Sequence, residues 1–600
     1  MTRSAILGFL AGLSLLLAAA AMAATPSGTV LIEMGPDHGF KPMNGPDGQP
    51  VGSITPAPAE GPNGPAVQFS FRDKMSPAYI SRWIVADQKW DQAAGLSFWI
   101  KGDGSDSWGG IELIDGNDYS LRYAYCFPID STEWKKISIP WSDLTPTMAG
   151  PLVNTREGFH PSSFRNLWFG KGYYWRDYPA YSYAISQIAL EPTIQQDTKD
   201  YTPEKSGVPR LLAKLKAGEP VTIVTMGDSL TDKRHWANVQ KDWNEQLAKQ
   251  IEEKYHNKVT LVNPAIGGTT LSQNVILMPR WLKQAPHPDL VTICFGFNDW
   301  DSKVRKPRFK QYLNLAVDRI RRMTGGQTEI MLMTTCPAFA RWETMDELCQ
   351  AASEVAQERK TGLADINSAF RAAGSAEEAQ KRQYWGWDNT HMGSAGHDLI
   401  TQTVLSSIEA GGVADAKALE NAPWAKAVPA PALAAGETFI TSFETQPDSL
   451  VSNNGGTVVQ EHATHGKNAL CLTSNAQDYI GISMQDGSTL NEIRQNSRLL
   501  VDVFNPQDKD VAIEVNIKDA KSTDYDTRYN GTLSVKPGQS TLDLDYTKLL
   551  RSGSHDPDKP DQIDPKQITL VVLFLGPRSA DQTVKVYLDN VRLAASPAGK

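Results

Sequence analysis

Between Arg210 and Gly412, short apolar runs alternate with longer stretches in which apolar residues recur every three to four positions. The runs Val221–Thr225, Val259–Val262, Leu290–Phe295, Glu329–Thr334 and Gly362–Ile366 read as strands. Trp236–Tyr255, Phe309–Met323, Asp346–Lys360 and Ser394–Ala410 carry helical spacing. Alternation of this kind predicts a parallel sheet with helices on both faces, a three-layer α/β/α domain.

From about Thr29 to Glu191, and again from Thr438 to Leu593, the pattern changes to short alternating runs. Gly95–Ile100, Gly110–Ile114 and Trp134–Ile139, separated by Gly, Asp, Asn and Pro, predict antiparallel β-sandwiches of jelly-roll type. Both regions close on similar segments, Tyr183–Leu190 and Val586–Leu593, so two related modules are expected around one core domain. The expected division is an N-terminal sandwich at 25–194, a linker at 195–209, the α/β/α domain at 210–412, an extended Ala/Pro-rich linker at 413–436 and a C-terminal sandwich at 437–600.

Composition fits a multidomain globular protein: 600 residues, 40% hydrophobic and 21% charged. The net charge of -9, with no basic cluster, argues against nucleic acid as a partner. Residues 1–24 read as a secretory signal peptide: Arg3, then the apolar run Ala5–Ala20, then the small-x-small site Ala21-Met22-Ala23. A periplasmic or extracellular protein is expected, with no later segment apolar enough to span a bilayer. Five cysteines are too few for a disulfide scaffold; Cys294 reads as core, and Cys336 and Cys349 are close enough in sequence to pair.

The chemistry clusters at the ends of the core strands. Met226-Gly227-Asp228-Ser229-Leu230 follows the first strand, where a serine is placed as a nucleophile. Asn263-Pro264-Ala265-Ile266-Gly267-Gly268 follows the second, and a glycine there lets a backbone N–H turn into the site. Gly296-Phe297-Asn298-Asp299 ends the third and supplies an amide donor for an oxyanion. Asp388-Asn389-Thr390-His391 precedes the last helix and delivers a carboxylate and an imidazole from one loop. Taken singly, each motif is also ordinary turn or cap chemistry; their order along the chain is what singles them out.

On these four blocks the chain resembles the SGNH, or GDSL-type, hydrolase superfamily. The resemblance covers about Val221 to Ala410 and implies Ser229, Asp388 and His391 as a triad. It implies an oxyanion hole of Ser229, Gly268 and Asn298, and no metal or organic cofactor. Two departures stand out: Thr231-Asp232-Lys233 replaces a glycine-containing turn, and Gly267 competes with Gly268 for the oxyanion role.

The flanking modules bear on the substrate. The N-terminal module is rich in tryptophan, including Trp83, Trp90, Trp108 and Trp168, and its Asp103-Gly104-Ser105 and Glu133–Pro140 segments resemble galactose-binding-type jelly rolls of polysaccharide-active proteins. Its aromatic side chains suit the apolar faces of sugars or, equally, a sandwich core. Tyr173, Tyr174 and Trp175 read as a sugar-contacting loop, and Trp300, Trp385 and Trp387 as an acyl pocket, a sugar platform or core. The expected function is an exported serine esterase that deacetylates a polysaccharide such as xylan or xyloglucan. The alternatives are a lipase, lysophospholipase or thioesterase of the same fold, and a non-catalytic carbohydrate-binding protein. Glu444 and Asp589, at the first and last strands of the C-terminal module, are candidate ligands for a structural calcium or plain surface carboxylates.

Overall fold

The computed structural model describes residues 28–595, apart from 76–77, 116–121, 148–158, 172–178, 240, 303, 414, 426–432, 435, 445–455, 486, 555–560 and 580–581. The proposed signal peptide and the Tyr173-Tyr174-Trp175 segment therefore lie outside the described residues.

All five core runs form strands: Val221–Gly227, Val259–Val262, Leu290–Cys294, Glu329–Met333 and Gly362–Ala364. They pair in parallel, the Val221–Gly227 strand lying between Val259–Val262 and Leu290–Cys294, followed by Glu329–Met333 and Gly362–Ala364. The last three strands are buried throughout because helices cover both faces. One face packs on Leu271–Ile276, Met278–Gln284, Lys306–Met323 and Asp346–Glu358, the other on Pro209–Lys216, Trp243–Tyr255, Ile366–Arg371 and Ser394–Glu409. Chain order reverses at the first strand, so the connections leaving Val221–Gly227 and Leu290–Cys294 diverge and open a crevice at the strand ends.

Two antiparallel six-stranded sheets precede this domain and share one aromatic core, including Phe69, Phe98, Phe127, Phe169 and Trp141. In one of them Tyr181–Glu191 lies between Ala66–Phe71 and Gly95–Gly102 and also pairs with Thr29–Ile32. The C-terminal region repeats that order: Lys585–Ala594 lies between Ala469–Thr473 and Arg498–Asn505 and also pairs with Glu437–Thr441. Its second sheet, of four strands, closes a core that is mainly aliphatic, with Phe443 and Tyr546 among the buried residues.

Several expectations change. Residues 413–436 are not simply extended: Ala416–Glu420 is helical, Pro423–Ala425 is a 3₁₀ turn, and Leu419, Ala422 and Trp424 are buried in the core domain. The Trp424 indole donates to Asp365 Oδ1 at 2.9 Å, which fastens this stretch to the domain. Cys336 and Cys349 are free and buried, as are the other three cysteines. Glu444 Oε1 accepts the Lys467 and Asn468 N–H groups at 2.8 and 2.7 Å, and Asp589 Oδ2 those of Thr464 and His465 at 2.6 and 2.7 Å. Both carboxylates serve as loop ties. Among the described residues no helix is long and apolar enough to cross a membrane.

The N-terminal sheets also dock on the core domain. Trp108, Ala124 and Cys126 pack against Ile276, Leu277 and Ile266, and Cys126 Sγ donates to the Ile276 carbonyl at 2.8 Å. Arg319 is buried in this contact, donating to the Val275 and Asp143 carbonyls at 2.8 and 2.6 Å, while Lys283 reaches Asp106 and Asp130 at 3.0 and 2.9 Å.

Candidate active site

Ser229 lies two residues beyond the Val221–Gly227 strand, in one helical turn closed by the Asp232 N–H donating to the Asp228 carbonyl at 2.8 Å. The expected helix from Trp236 begins only at Trp243. Polar side chains hold the intervening loop: the Asn238 amide donates to the Ser229 and Asp232 carbonyls at 2.8 Å each, and Asp242 caps the helix through the Asn244 N–H.

His391 Nε2 is 2.9 Å from Ser229 Oγ, and His391 Nδ1 is 2.6 Å from Asp388 Oδ2. Asp388 Oδ1 accepts the His391 and Thr390 N–H groups at 3.0 and 3.1 Å, so the three-residue spacing closes a small ring that presents both side chains. Asn389 completes the turn at φ +56°, a left-handed conformation that asparagine tolerates. Burial alone would raise the Asp388 pKa, but the hydrogen bonds from His391 and from these backbone N–H groups outweigh it and hold the carboxyl below its ordinary value.

The two glycines of the second block have different jobs. Gly267 N–H donates to Asp232 Oδ2 at 3.0 Å, which ties the Asn263–Gly268 loop to the serine loop. Gly268, at φ +76°, has an N–H that meets no acceptor among the described residues. Asn298 is the second residue of the short helix Phe297–Asp301, capped by Gly296, whose φ of +136° and close approach to Thr335 exclude any side chain. The Asn298 Nδ2 donates to the Thr269 carbonyl at 3.1 Å and, in a longer bond, to Asp228 Oδ2 at 3.3 Å. Asn298→Ala is expected to lower kcat on an aryl acetate by roughly 100- to 1000-fold with little change in KM; a loss below about tenfold would remove the amide from the oxyanion hole.

Sequence reasoning missed the layer behind these groups. Asp228 and Asp299 are fully buried; burial pushes Asp228 up to about 7 and, together with the Asp228 charge, Asp299 up to about 8. Both folded values lie above the unfolded carboxylate value of about 3.9, so their stabilising contribution is complete below that pH and is lost as pH rises through about 7 to 8. Asp299→Asn keeps an oxygen for the Leu271 N–H and is expected to flatten the fall in Tm between about pH 4 and 8. An unchanged slope in thermal melts would acquit Asp299.

Of the three tryptophans considered for substrate contact, two are core. Trp300 is 1% exposed beneath the Arg305 guanidinium at 3.7 Å, and Trp385 is 2% exposed with its indole N–H donating to the Pro337 carbonyl at 2.9 Å. Trp387 is 81% exposed. The structure adds His235, stacked on the His391 ring at 4.1 Å, and Trp236. Both fall in or beside the segment read as helix, where Asn238 and Asp242 were the signals of a loop.

Residues 225–399 match the GDSL-like Lipase/Acylhydrolase family, and residues 57–150 match Carbohydrate binding domain (family 11). The chain carries a GDSL-like acylhydrolase domain. It is a carboxylic ester hydrolase with a carbohydrate-binding module. No curated protein matches it. Similar solved structures include an acetyl xylan esterase from Geobacillus stearothermophilus, 21% identical over 31% of this chain and 94% of its own, with a TM-score of 0.26. A two-domain esterase active on acetylated mannans is 16% identical over 66% and 97%, with a TM-score of 0.29. A family 11 carbohydrate-binding module from Clostridium thermocellum is 15% identical over 28% and 97%, with a TM-score of 0.22. Within the GDSL-like domain the Asn263–Gly268 loop borders the module directly: Ile266, next to Gly267, packs on Trp108, Ala124 and Cys126 of the matched segment.

Proposed function

We propose that this chain is an exported serine esterase that removes O-acetyl groups from a polysaccharide, a plant hemicellulose such as xylan or xyloglucan. The observation that carries the reading is the contact between the oxyanion loop and the segment matching a carbohydrate-binding domain. A glycan held by that module is delivered beside Ser229.

In the proposed reaction Ser229 Oγ attacks the acetyl carbonyl while its proton passes to His391 Nε2. Asp388 holds the imidazole in the accepting tautomer and stabilises the imidazolium that forms. The N–H groups of Ser229 and Gly268 and the Asn298 amide receive the oxyanion. The tetrahedral intermediate collapses as His391 protonates the departing sugar oxygen. Water, deprotonated by His391, then cleaves the acetyl-enzyme and frees acetate.

Acetate release from acetylated xylan, xyloglucan and mannan, set beside hydrolysis of short and long aryl esters, tests the proposal. Release from at least one glycan, with acetyl preferred among aryl esters, is expected. Preference for acyl chains beyond about eight carbons, with no acetate from any glycan, would replace it with a lipid esterase or thioesterase.

A further inference from the structure

Three tryptophans are exposed among the described residues, Trp83, Trp236 and Trp387, and two of them stand beside the triad. Trp236 meets His391 edge to face at 5.7 Å and 63°, and Trp387 stacks on Trp236 at 5.2 Å and 26°. The path from the imidazole to the outer indole has a reach of the order of a disaccharide.

Trp387 is held in place from both ends. Trp385 is anchored in the core and Asp388 is in the triad, so Trp387 projects from a turn fixed on either side. The turn is closed by the Gly386 N–H donating to the His391 carbonyl at 2.7 Å and the Asn389 N–H to the Gly386 carbonyl at 3.1 Å. Exposing flat apolar rings, 48% and 81% accessible, keeps hydrophobic area in water with no benefit to the fold. A ligand that covers them recovers that area.

We infer that Trp236 and Trp387 form a stacking platform for a pyranose ring, which seats the sugar chain so that its ester faces Ser229. The inference rests on the glycan-esterase reading and names its subsite. An acyl chain is the poorer occupant, because an alkyl chain gains most from enclosure around its circumference, whereas these rings present an open face. A pyranose lays its apolar C–H face on an indole and leaves its hydroxyls to solvent and to polar neighbours, of which Asn389 and Thr390 lie on the same turn.

The test is inhibition of 4-nitrophenyl acetate hydrolysis by unacetylated xylohexaose, cellohexaose and mannohexaose, in wild type, Trp387→Ala and Trp387→Tyr. At least one saccharide is expected to inhibit, with Ki raised about tenfold in Trp387→Ala and largely restored in Trp387→Tyr. Trp236 is left intact because it touches His391. If no saccharide inhibits, or if Ki is the same in Trp387→Ala, the platform is wrong whatever the enzyme releases from glycans. If Trp387→Ala instead raises KM for 4-nitrophenyl octanoate while saccharides stay inert, the rings bind acyl chains and the platform is again overturned. Inhibition that depends on Trp387, without acetate release from any glycan, upholds the platform and sinks only the proposed glycan substrate.

Discussion

Ser229→Ala is expected to lower kcat on 4-nitrophenyl acetate by roughly 10⁵- to 10⁶-fold, the scale seen when the nucleophile is removed from a serine triad. The residue is 9% exposed, and its hydroxyl is 2.9 Å from His391 Nε2. With the hydroxyl gone, the Gly268 and Asn298 donors can still polarise a carbonyl for attack by water, which is why activity above the uncatalysed rate should persist. The fold should not suffer. The turn that carries the residue is held by the Asp232 N–H on the Asp228 carbonyl and by the Asn238 amide on the Ser229 carbonyl, all independent of the deleted oxygen. Loss of one partly exposed hydrogen bond should change stability by about 1 kcal/mol or less. Turnover assays and thermal melts on the same preparation decide the matter. Wild-type protein should take up one phosphonofluoridate label at Ser229 and the variant none. Activity above about one per cent of wild type in Ser229→Ala would unseat Ser229 as the nucleophile.

The parts of this molecule that were legible in the sequence share one property: their local pattern and their tertiary role agree. The core strands inside the edge strand Val259–Val262 are buried apolar runs because helices cover both faces, and Asp388 and His391 are readable because one turn suffices to join them. The serine loop is where pattern and role part. Trp236, Val239, Trp243, Leu247 and Ile251 continue a helical spacing, yet Trp236 is 48% and Val239 66% exposed while the last three are buried. The chain leaves the helical path because the Asn238 amide binds two loop carbonyls and Asp242 caps a later start. The tryptophans show a second limit. Trp300, Trp385 and Trp387 were equivalent as sequence; only packing distinguishes two core rings from an exposed one. Likewise only the fit to the second block favoured Gly268 over Gly267 in the sequence; in the structure the Asp232 carboxylate takes the Gly267 N–H. That carboxylate sits in the very segment that departs from the usual glycine-containing turn.

Asp388→Asn should cost about 10⁴-fold in kcat with KM nearly unchanged, through the identity of a single proton. Asp388 Oδ1 accepts the His391 and Thr390 N–H groups, and an asparagine oxygen can keep both bonds and the turn. Its amide nitrogen would then face His391 Nδ1, where Oδ2 now lies at 2.6 Å. A donor at that position makes Nδ1 the acceptor and moves the ring proton to Nε2, so the imidazole donates to Ser229 when it should accept. The same substitution reports on stability. Because the Asp388 pKa is lowered in the folded protein, its ionised form adds stability above the unfolded value of about 3.9, and that contribution disappears as pH falls through the folded value. Asp388→Asn should therefore flatten the acid limb of the Tm profile, whereas Asp299→Asn flattens the decline between about pH 4 and 8. A kcat loss below about tenfold, with the acid limb unchanged, would mean that another group orients His391.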